Sequence, residues 1–256
     1  MDKEARAVLA NELRNKKYES GVSIITPSGE RHEAIKRTHY YIERQTFNGP
    51  IQWIICDDSD KHYEINTPSN VVHFTHKKRQ YPGNKSDSFR SNVVCALKEV
   101  LFDRVLIFED DDWYHPDYIV IYKNRLLNWQ LTGEGPARYY NVQRRTYRVL
   151  GNTKRASFCQ TGLQASILDK LLVACYKDSA FVDARLWDKN CRKFVFQDGP
   201  PHCIGVKGMP GRAGIGMGHR SKSFTTDHEF KTLERWIGKE DTNYYREIHA
   251  KFFQKL

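Results

Sequence analysis

The chain has 256 residues and a formal net charge of +10. Hydrophobic residues make up 39% of it and charged residues 28%, a composition typical of globular rather than disordered proteins. No apolar stretch approaches the roughly 20 residues that span a bilayer, and the charged residues 1–17 lack the apolar core of a signal peptide. We therefore expect a cytoplasmic protein without a transmembrane segment, with one domain over residues 1–256. The basic charge favours a polyanionic partner or an anionic membrane surface.

The first 130 residues alternate between helical and extended patterns. This alternation predicts an α/β fold in which helices flank a central, mostly parallel sheet with right-handed crossovers. We expect residues of about 20–130 to form one half of the fold and residues of about 131–256 a smaller second region. Helices are predicted at residues 3–17, 30–45 and 88–102, and strands at residues 22–25, 51–56, 71–74 and 105–108.

Four consecutive acids follow the last of these strands. Val105–Phe108 is a short, continuous apolar run, as expected of a strand buried on both faces. Carboxylates at the carboxyl end of such a strand lie where open α/β sheets bind their ligands. Adjacent carboxylates repel one another unless a cation compensates them, and hard oxygen ligands suit magnesium or manganese. The acids are Glu109, Asp110, Asp111 and Asp112.

The segment from Val22 to Asp60 resembles the opening of the family 2 glycosyltransferases, which have the GT-A fold. The resemblance depends on a Thr-Pro turn after an apolar strand, Gln45-Thr46 at a helix end and Asp57-Asp58-Ser59 after the second strand. It implies a Rossmann-like fold that binds a nucleotide-diphosphate sugar, with uracil as the usual base. The residues that it places at the donor nucleotide are Thr26, Pro27, Glu30, Asp57, Asp58 and Arg90.

The same resemblance identifies the acidic run as the family's DxD motif. It implies Asp111 as a ligand of a manganese or magnesium ion, Asp112 as a second ligand and Asp110 on the ribose. The register stays open, because Asp110-x-Asp112 is the literal pattern. A metal ion there stabilises the charge that develops on the β-phosphate of the leaving nucleotide.

The second half carries the remaining residues of the implied site. Asp183, before Leu186-Trp187, falls at the catalytic base of inverting family members, although aspartate is also a common helix N-cap. Residues 199–220 contain seven glycines and three prolines, which predicts an irregular loop that closes on the diphosphate. The residues that the resemblance assigns there and nearby are Gly162 at the donor sugar, Lys207 and Arg212 at the diphosphate, and His219 at the metal, with His202 as the alternative.

Two stretches bear on the acceptor. Residues 138–155 are rich in arginine and tyrosine and contain no acid, so they are either a surface hairpin turning at Gly151-Asn152 or a groove for a phosphate backbone. Residues 230–256 predict an amphipathic helix pair with a basic outer face, which could instead lie on an anionic membrane. The candidate DNA contacts are Arg144, Arg145 and Arg148.

We therefore expect a metal-dependent, inverting glycosyltransferase that uses a UDP-sugar. Its acceptor is either a hydroxymethylated base in DNA or a cell-surface or lipid-linked glycan. The alternative is a metal-dependent nuclease or phosphatase, which explains the charge but not the Thr26-Pro27 turn or Asp57-Asp58. The six cysteines form no CxxC pair and are predicted to be mostly buried free thiols.

Overall fold

The computed structural model describes residues 2–60, 73–75, 88–176, 181–197, 199–212 and 224–254. The helices and strands predicted for the first half are present, each within a few residues of its expected position. They are α1 (Lys3–Asn15), β1 (Glu19–Ser28), α2 (His32–Glu43), β2 (Ile51–Asp57), β3 (His73–Thr75), α3 (Ser88–Glu99) and β4 (Phe102–Ile107).

The chain after the acidic turn alternates shorter strands and helices. In order, these are β5 (Trp113–Tyr114), α4 (Tyr118–Arg125), β6 (Leu131–Glu134), β7 (Pro136–Asn141), β8 (Thr146–Gly151), β9 (Thr161–Gln164), α5 (Leu168–Cys175), α6 (Val182–Trp187), β10 (Lys193–Phe196), β11 (Cys203–Lys207), β12 (Thr225–Thr226) and α7 (Lys231–Phe253).

Seven strands form the central sheet in the order β10-β6-β9-β4-β1-β2-β3. Among its described strands, β9 alone runs antiparallel to its neighbours, and the other adjacent pairs are parallel. Residues of α1, α3 and α5 join the core on one face of this sheet, and residues of α2, α4 and α7 join the core on the other. The predicted fold class, an α/β fold with a mostly parallel sheet flanked by helices, is confirmed.

The three innermost parallel strands are apolar because both of their faces are covered. In β1, Ile25 faces one core while Val22 and Ile24 face the other. In β4, Val105 and Ile107 face the core that includes α1, α3 and α5, whereas Leu106 faces the core that includes α2, α4 and α7. This burial explains the continuous apolar runs of the sequence.

A second sheet of five strands has the order β12-β8-β7-β11-β5. Its strand β11 corrects the prediction that residues 199–220 are irregular throughout. Cys203–Lys207 is fully buried and pairs with β7 on one side and β5 on the other, which satisfies its backbone polar groups despite the surrounding glycines. The β7–β8 hairpin is also present, but it turns at residues 142–145 rather than at Gly151-Asn152, because Gly151 pairs with Pro136 inside the ladder.

The C-terminal segment forms α7, interrupted at Gly238, whose φ of 81° is non-helical. Two helical segments therefore meet at Gly238, in agreement with the predicted helix pair. The buried side chains of α7, which include Leu233, Tyr245 and Ile248, pack into the core that α2 and α4 share. Across the described residues, no helix is both long and apolar enough to span a bilayer.

Candidate active site

The candidate site lies where the path of the chain through the central sheet reverses direction. From β1 the chain moves outward to β2 and β3, and it then returns to β4 on the other side of β1. The carboxyl ends of β1 and β4 therefore border the crevice in which open α/β sheets bind ligands. The Ser28 hydroxyl at the end of β1 donates a hydrogen bond of 2.8 Å to Asp110 Oδ2, just beyond β4.

Two cations compensate the acidic run. Lys207 Nζ, at the end of β11, lies 2.9 Å from Asp111 Oδ1, 2.7 Å from Asp112 Oδ1 and 3.6 Å from Glu109 Oε2. Arg31 Nη1, at the start of α2, lies 2.7 Å from Asp110 Oδ1 and 3.1 Å from Asp111 Oδ2. Four carboxylates thus share two positive charges, and an excess of negative charge remains when all four are ionised.

Burial and this excess charge shift the ionisation of the cluster. Burial raises the pKa of Asp112 well above its usual range; Lys207 opposes the rise, while Asp111 and Glu109 add to it. Burial lowers the pKa of Lys207, but the charges of Asp111 and Asp112 outweigh it and leave the pKa well above normal. Lys207 therefore stays positively charged. A further cation, in addition to Lys207 and Arg31, would stabilise the ionised form of the acids.

The donor atoms fit a metal ion, with one change to the expected ligand set. Both oxygens of Asp111 are engaged, one by Lys207 and one by Arg31. Asp112 Oδ2, by contrast, is buried without a hydrogen-bond partner. Ligand atoms of Glu109, Asp112 and Cys159 lie within 4.8 Å of one another. The geometry thus favours Asp112 and Glu109 over Asp111 as metal ligands. His219 lies outside the described residues.

Asp183 lies in the first turn of α6, one position past the helix start. Phe181, not Asp183, occupies the N-cap position, and no side-chain hydrogen bond from the cap residue closes this end of the helix. Burial raises the pKa of Glu109, Asp111 and Asp110 add to the rise, and the charge of Asp183 contributes last. Burial raises the pKa of Asp183 itself, although Ala184 and Arg155 lower it. The aspartate is thus a half-buried carboxylate whose charge reaches Glu109 of the acidic cluster.

Asp58 and Arg212 form the opposite end of the site. The Arg212 guanidinium binds both Asp58 oxygens, at 2.5 Å and 3.1 Å. Burial raises the pKa of Asp58, but its bonds to Arg212 outweigh this and lower the pKa below normal. A side chain at Gly29 would overlap the guanidinium, which explains the glycine after the Thr-Pro turn. Arg212 is thereby fixed over the turn between β1 and α2.

A cavity of about 510 Å³ opens beside this ion pair. The volume falls in the range of small-molecule sites, roughly 300–1,000 Å³. Asp57 borders the same region through Ser59, whose amide and hydroxyl both donate to Asp57 Oδ1. Three acids in the cavity wall disfavour a phosphate there, so a neutral group suits it better. The lining residues are Glu30, His32, Glu33, Ser59, Asp60, Pro210, Gly211 and Phe252.

Other predicted site residues lie apart from this centre. Thr26 is fully buried, and its hydroxyl accepts a hydrogen bond from the Trp53 indole, so its side chain faces the core. Pro27 is buried in β1 opposite Cys56. Gly162 lies in β9 beside Leu106, where a side chain would strike Tyr122.

Two further predicted residues have contacts outside the acidic cluster. The charge of Arg90 acts on the Cys175 thiol, whose pKa burial raises to about 12. The ring of His202 packs against His115 and Phe196.

Arg31 and Cys159 received no role from the sequence. Arg31 also donates from Nε to the Arg212 carbonyl at 2.8 Å, so it joins the acidic cluster to the Arg212 loop. Cys159 reaches the cluster because it precedes β9, which pairs antiparallel with β4. Their partners are distant in sequence, and no local pattern marks either residue. A basic residue at the start of α2 was the one available signal for Arg31.

No protein-family model matches the sequence, and no curated protein is significantly similar to it. Among solved structures, S. aureus TarS 1–349 in complex with UDP-GlcNAc matches with a TM-score of 0.49 and 14% identity, over 90% of this chain and 71% of that chain. The TarS 1–349 complex with UDP matches with a TM-score of 0.47 and 12% identity, over 72% of this chain. That match spans 60% of the TarS chain. Similarity this distant does not assign a function, which therefore depends on the site.

Proposed function

We propose that the protein is a glycosyltransferase that moves a sugar from a nucleotide-diphosphate sugar to an acceptor hydroxyl. The observation that carries this proposal is the run Glu109–Asp112, which follows β4, is bonded to Ser28 at the end of β1 and is paired with Lys207 and Arg31. The acids supply sites for a cation and a general base, and Lys207 and Arg31 supply fixed positive charge. A transfer that expels a diphosphate needs all of these groups.

The donor is proposed to be a UDP-sugar that spans the site from Asp58 to the acidic cluster. Asp58 and the cavity beside it would hold the base and ribose, with Asp110 also close to the ribose. Lys207, Arg31 and Arg212 would hold the diphosphate, because these cations flank the crevice. The base is proposed from the resemblance to family 2 enzymes, since the cavity itself accepts any neutral planar group.

A divalent metal ion is proposed as the cofactor, and the resemblance to family 2 enzymes implies manganese or magnesium. Asp112 and Glu109 would hold it, with Asp111 as the alternative and His219 as the ligand implied by the resemblance. When bound, the ion stabilises charge on the leaving diphosphate. Lys207 adds a fixed positive charge to the same region, and its contacts with Asp111 and Asp112 keep it in place.

Asp183 is proposed to be the base of an inverting transfer. Its carboxylate takes the proton of the acceptor hydroxyl as that oxygen forms a bond to the anomeric carbon. The bond from that carbon to the phosphate oxygen breaks, and its electron pair leaves with the diphosphate. Because attack comes from the face opposite the leaving group, the product has the inverted configuration.

The acceptor is proposed to be either a hydroxymethylated base in DNA or a cell-surface or lipid-linked glycan. Asn141 pairs with Lys207, and the Val142 amide donates to the Lys207 carbonyl at 2.8 Å. The arginine-rich turn therefore begins next to the acidic cluster. The tyrosines of the hairpin have partners within the protein: Tyr140 is fully buried, the Tyr139 hydroxyl is hydrogen-bonded to Ser157, and Tyr147 packs edge-on against Trp236. DNA binding would thus depend on phosphate contacts.

The direct test is a titration of UDP-sugars by calorimetry, with manganese present and with the metal chelated. We expect saturable binding that strengthens with manganese and release of UDP when a matching acceptor is added. Asp58→Asn should weaken binding, whereas Glu247→Gln, an exposed position on α7, should not. Cleavage of DNA or of phosphomonoesters without any sugar nucleotide would instead support the nuclease or phosphatase alternative.

Replacing Arg144 and Arg148 with alanine tests the DNA acceptor. Arg145 is retained, because its guanidinium donates to the His228 carbonyl and its own carbonyl accepts from Asp227, so its loss would disturb the hairpin. Each lost phosphate contact should make the slope of log affinity against log salt shallower by about 0.9. Fluorescence anisotropy with a hydroxymethylated duplex measures this slope.

A double change of the exposed Lys17 and Arg192 to alanine provides the control. These two residues lie outside the β7–β8 hairpin, so their removal should leave the slope nearly unchanged. An equal change of slope in both variants, or transfer to glycans alone, would count against DNA as the acceptor.

A further inference from the structure

We propose that Cys159 is a ligand of the cation site formed with Glu109 and Asp112, and that this thiolate makes the site prefer borderline ions such as zinc or cobalt over magnesium. The inference rests on the proposed function only for the use of the ion in transfer. The ligand set itself follows from the positions of three side chains.

The three ligand atoms converge at a place where Asp112 and Cys159 are buried and Glu109 is partly exposed. They lie within 4.8 Å of one another, although 47 residues separate Asp112 from Cys159 in the sequence. Asp112 is 1% exposed and Cys159 is 3% exposed. Asp112 Oδ2 is buried without a hydrogen-bond partner. An ionised oxygen in such a place costs free energy unless a cation or a proton meets it.

The position of Cys159 follows from the fold. It lies in the single helical turn Phe158–Gln160 that leads directly into β9. Because β9 runs antiparallel to β4, the beginning of β9 lies beside the end of β4, where the acidic run starts. Tyr118, from α4, fixes this turn by donating a hydrogen bond of 3.0 Å to the Cys159 carbonyl.

Lys207 competes with an incoming ion. Its ammonium contacts Asp112 Oδ1 at 2.7 Å and Glu109 Oε2 at 3.6 Å, so it partly neutralises two of the three ligands. A divalent ion would displace it from these two acids, and Asp111 would remain as its partner. A metal ion must therefore bind Asp112 and Glu109 more strongly than the Lys207 ammonium does.

The chemical type of the three ligand atoms determines which divalent ions can displace the Lys207 ammonium. Magnesium prefers oxygen ligands alone, whereas thiolate ligands favour softer ions such as zinc. Coordination replaces the thiol proton of Cys159, which passes to the buffer. Two carboxylates and one thiolate leave a fourth position of a tetrahedral ion open to a substrate oxygen, as in catalytic zinc sites.

Cobalt titration of the metal-free, full-length protein tests the ligand set without any donor or acceptor. We expect saturable binding with the near-ultraviolet absorption of a cobalt–thiolate bond, and displacement by zinc at far lower concentration than by magnesium. In Cys159→Ser the absorption should vanish and cobalt affinity should fall by more than the roughly 10- to 100-fold typical of a lost outer-shell partner. Cys175→Ser removes an equally buried thiol from α5 and should change neither.

Lys207→Met provides a second variant, in which Glu109, Asp112 and Cys159 are all unchanged. Removing the competing ammonium should tighten cobalt binding and keep the thiolate absorption. Cobalt binding by the wild-type protein without that absorption, or equal displacement by magnesium and zinc, would overturn the assignment of Cys159. Because this titration contains no sugar nucleotide, such a result would not bear on the proposed transferase function. The UDP-sugar titration tests that function separately.

Discussion

Asp183→Asn is expected to lower the rate of sugar transfer by about 100-fold or more, the usual contribution of a general base. The amide cannot accept the proton of the acceptor hydroxyl, but it keeps the size of the side chain. Donor and metal affinity should therefore stay near those of the wild type. Single-turnover kinetics measure the rate of transfer, and calorimetry with UDP measures the donor affinity.

The pH dependence gives an independent check on this role. Burial raises the pKa of Asp183, and only the deprotonated form acts as a base. Transfer by the wild type should therefore rise with pH through a pKa above the ordinary range of aspartate, and Asp183→Asn should lose this limb. Asp188→Asn, an exposed acid at the end of the same helix, serves as the control. Retained anomeric configuration in the product would exclude the role of Asp183 as base.

Asp241→Ala is expected to reduce the free energy of unfolding by about 3–5 kcal/mol, as for one partner removed from a buried ion pair. Asp241 is buried on α7 and lies 2.5 Å from both Arg37 Nη2 and Arg44 Nη2. It also accepts a hydrogen bond of 2.5 Å from the Trp113 indole, next to the acidic run. Its loss would leave two guanidinium groups facing each other without a counter-charge. Urea denaturation measures the effect.

Glu247→Ala is the matched control, because Glu247 is exposed on the same helix. Its effect should stay within about 0.5 kcal/mol, the usual limit for surface substitutions. Asp241→Asn should fall between the two, since an asparagine oxygen can still accept from Trp113. If Asp241→Ala destabilised the protein no more than Glu247→Ala, the two arginines would have to be solvated well enough to need no counter-charge.

The sequence by itself determined the class of the fold and the position of the acidic run. Apolar runs such as Val105–Phe108 reflect burial on both faces of a parallel strand, a local pattern that a short window contains. The buried thiols Cys56 and Cys175 likewise agree with the prediction of mostly buried cysteines, which came from local composition. These features follow from the periodicity and propensity of neighbouring residues, so no knowledge of distant contacts was needed.

Only the tertiary structure decided how the candidate site is assembled. Lys207 meets Asp112 across 95 residues and Arg31 meets Asp110 across 79, and no local pattern encodes such pairs. Strand β11 was missed because its glycine-rich surroundings favour a loop, whereas pairing with β7 and β5 satisfies its backbone. The side chain of Thr26 faces the core because strand pairing sets its direction, and Trp53 on β2 then supplies its partner. Register and strand order are properties of the whole sheet, and they determine which charges meet at its carboxyl edge.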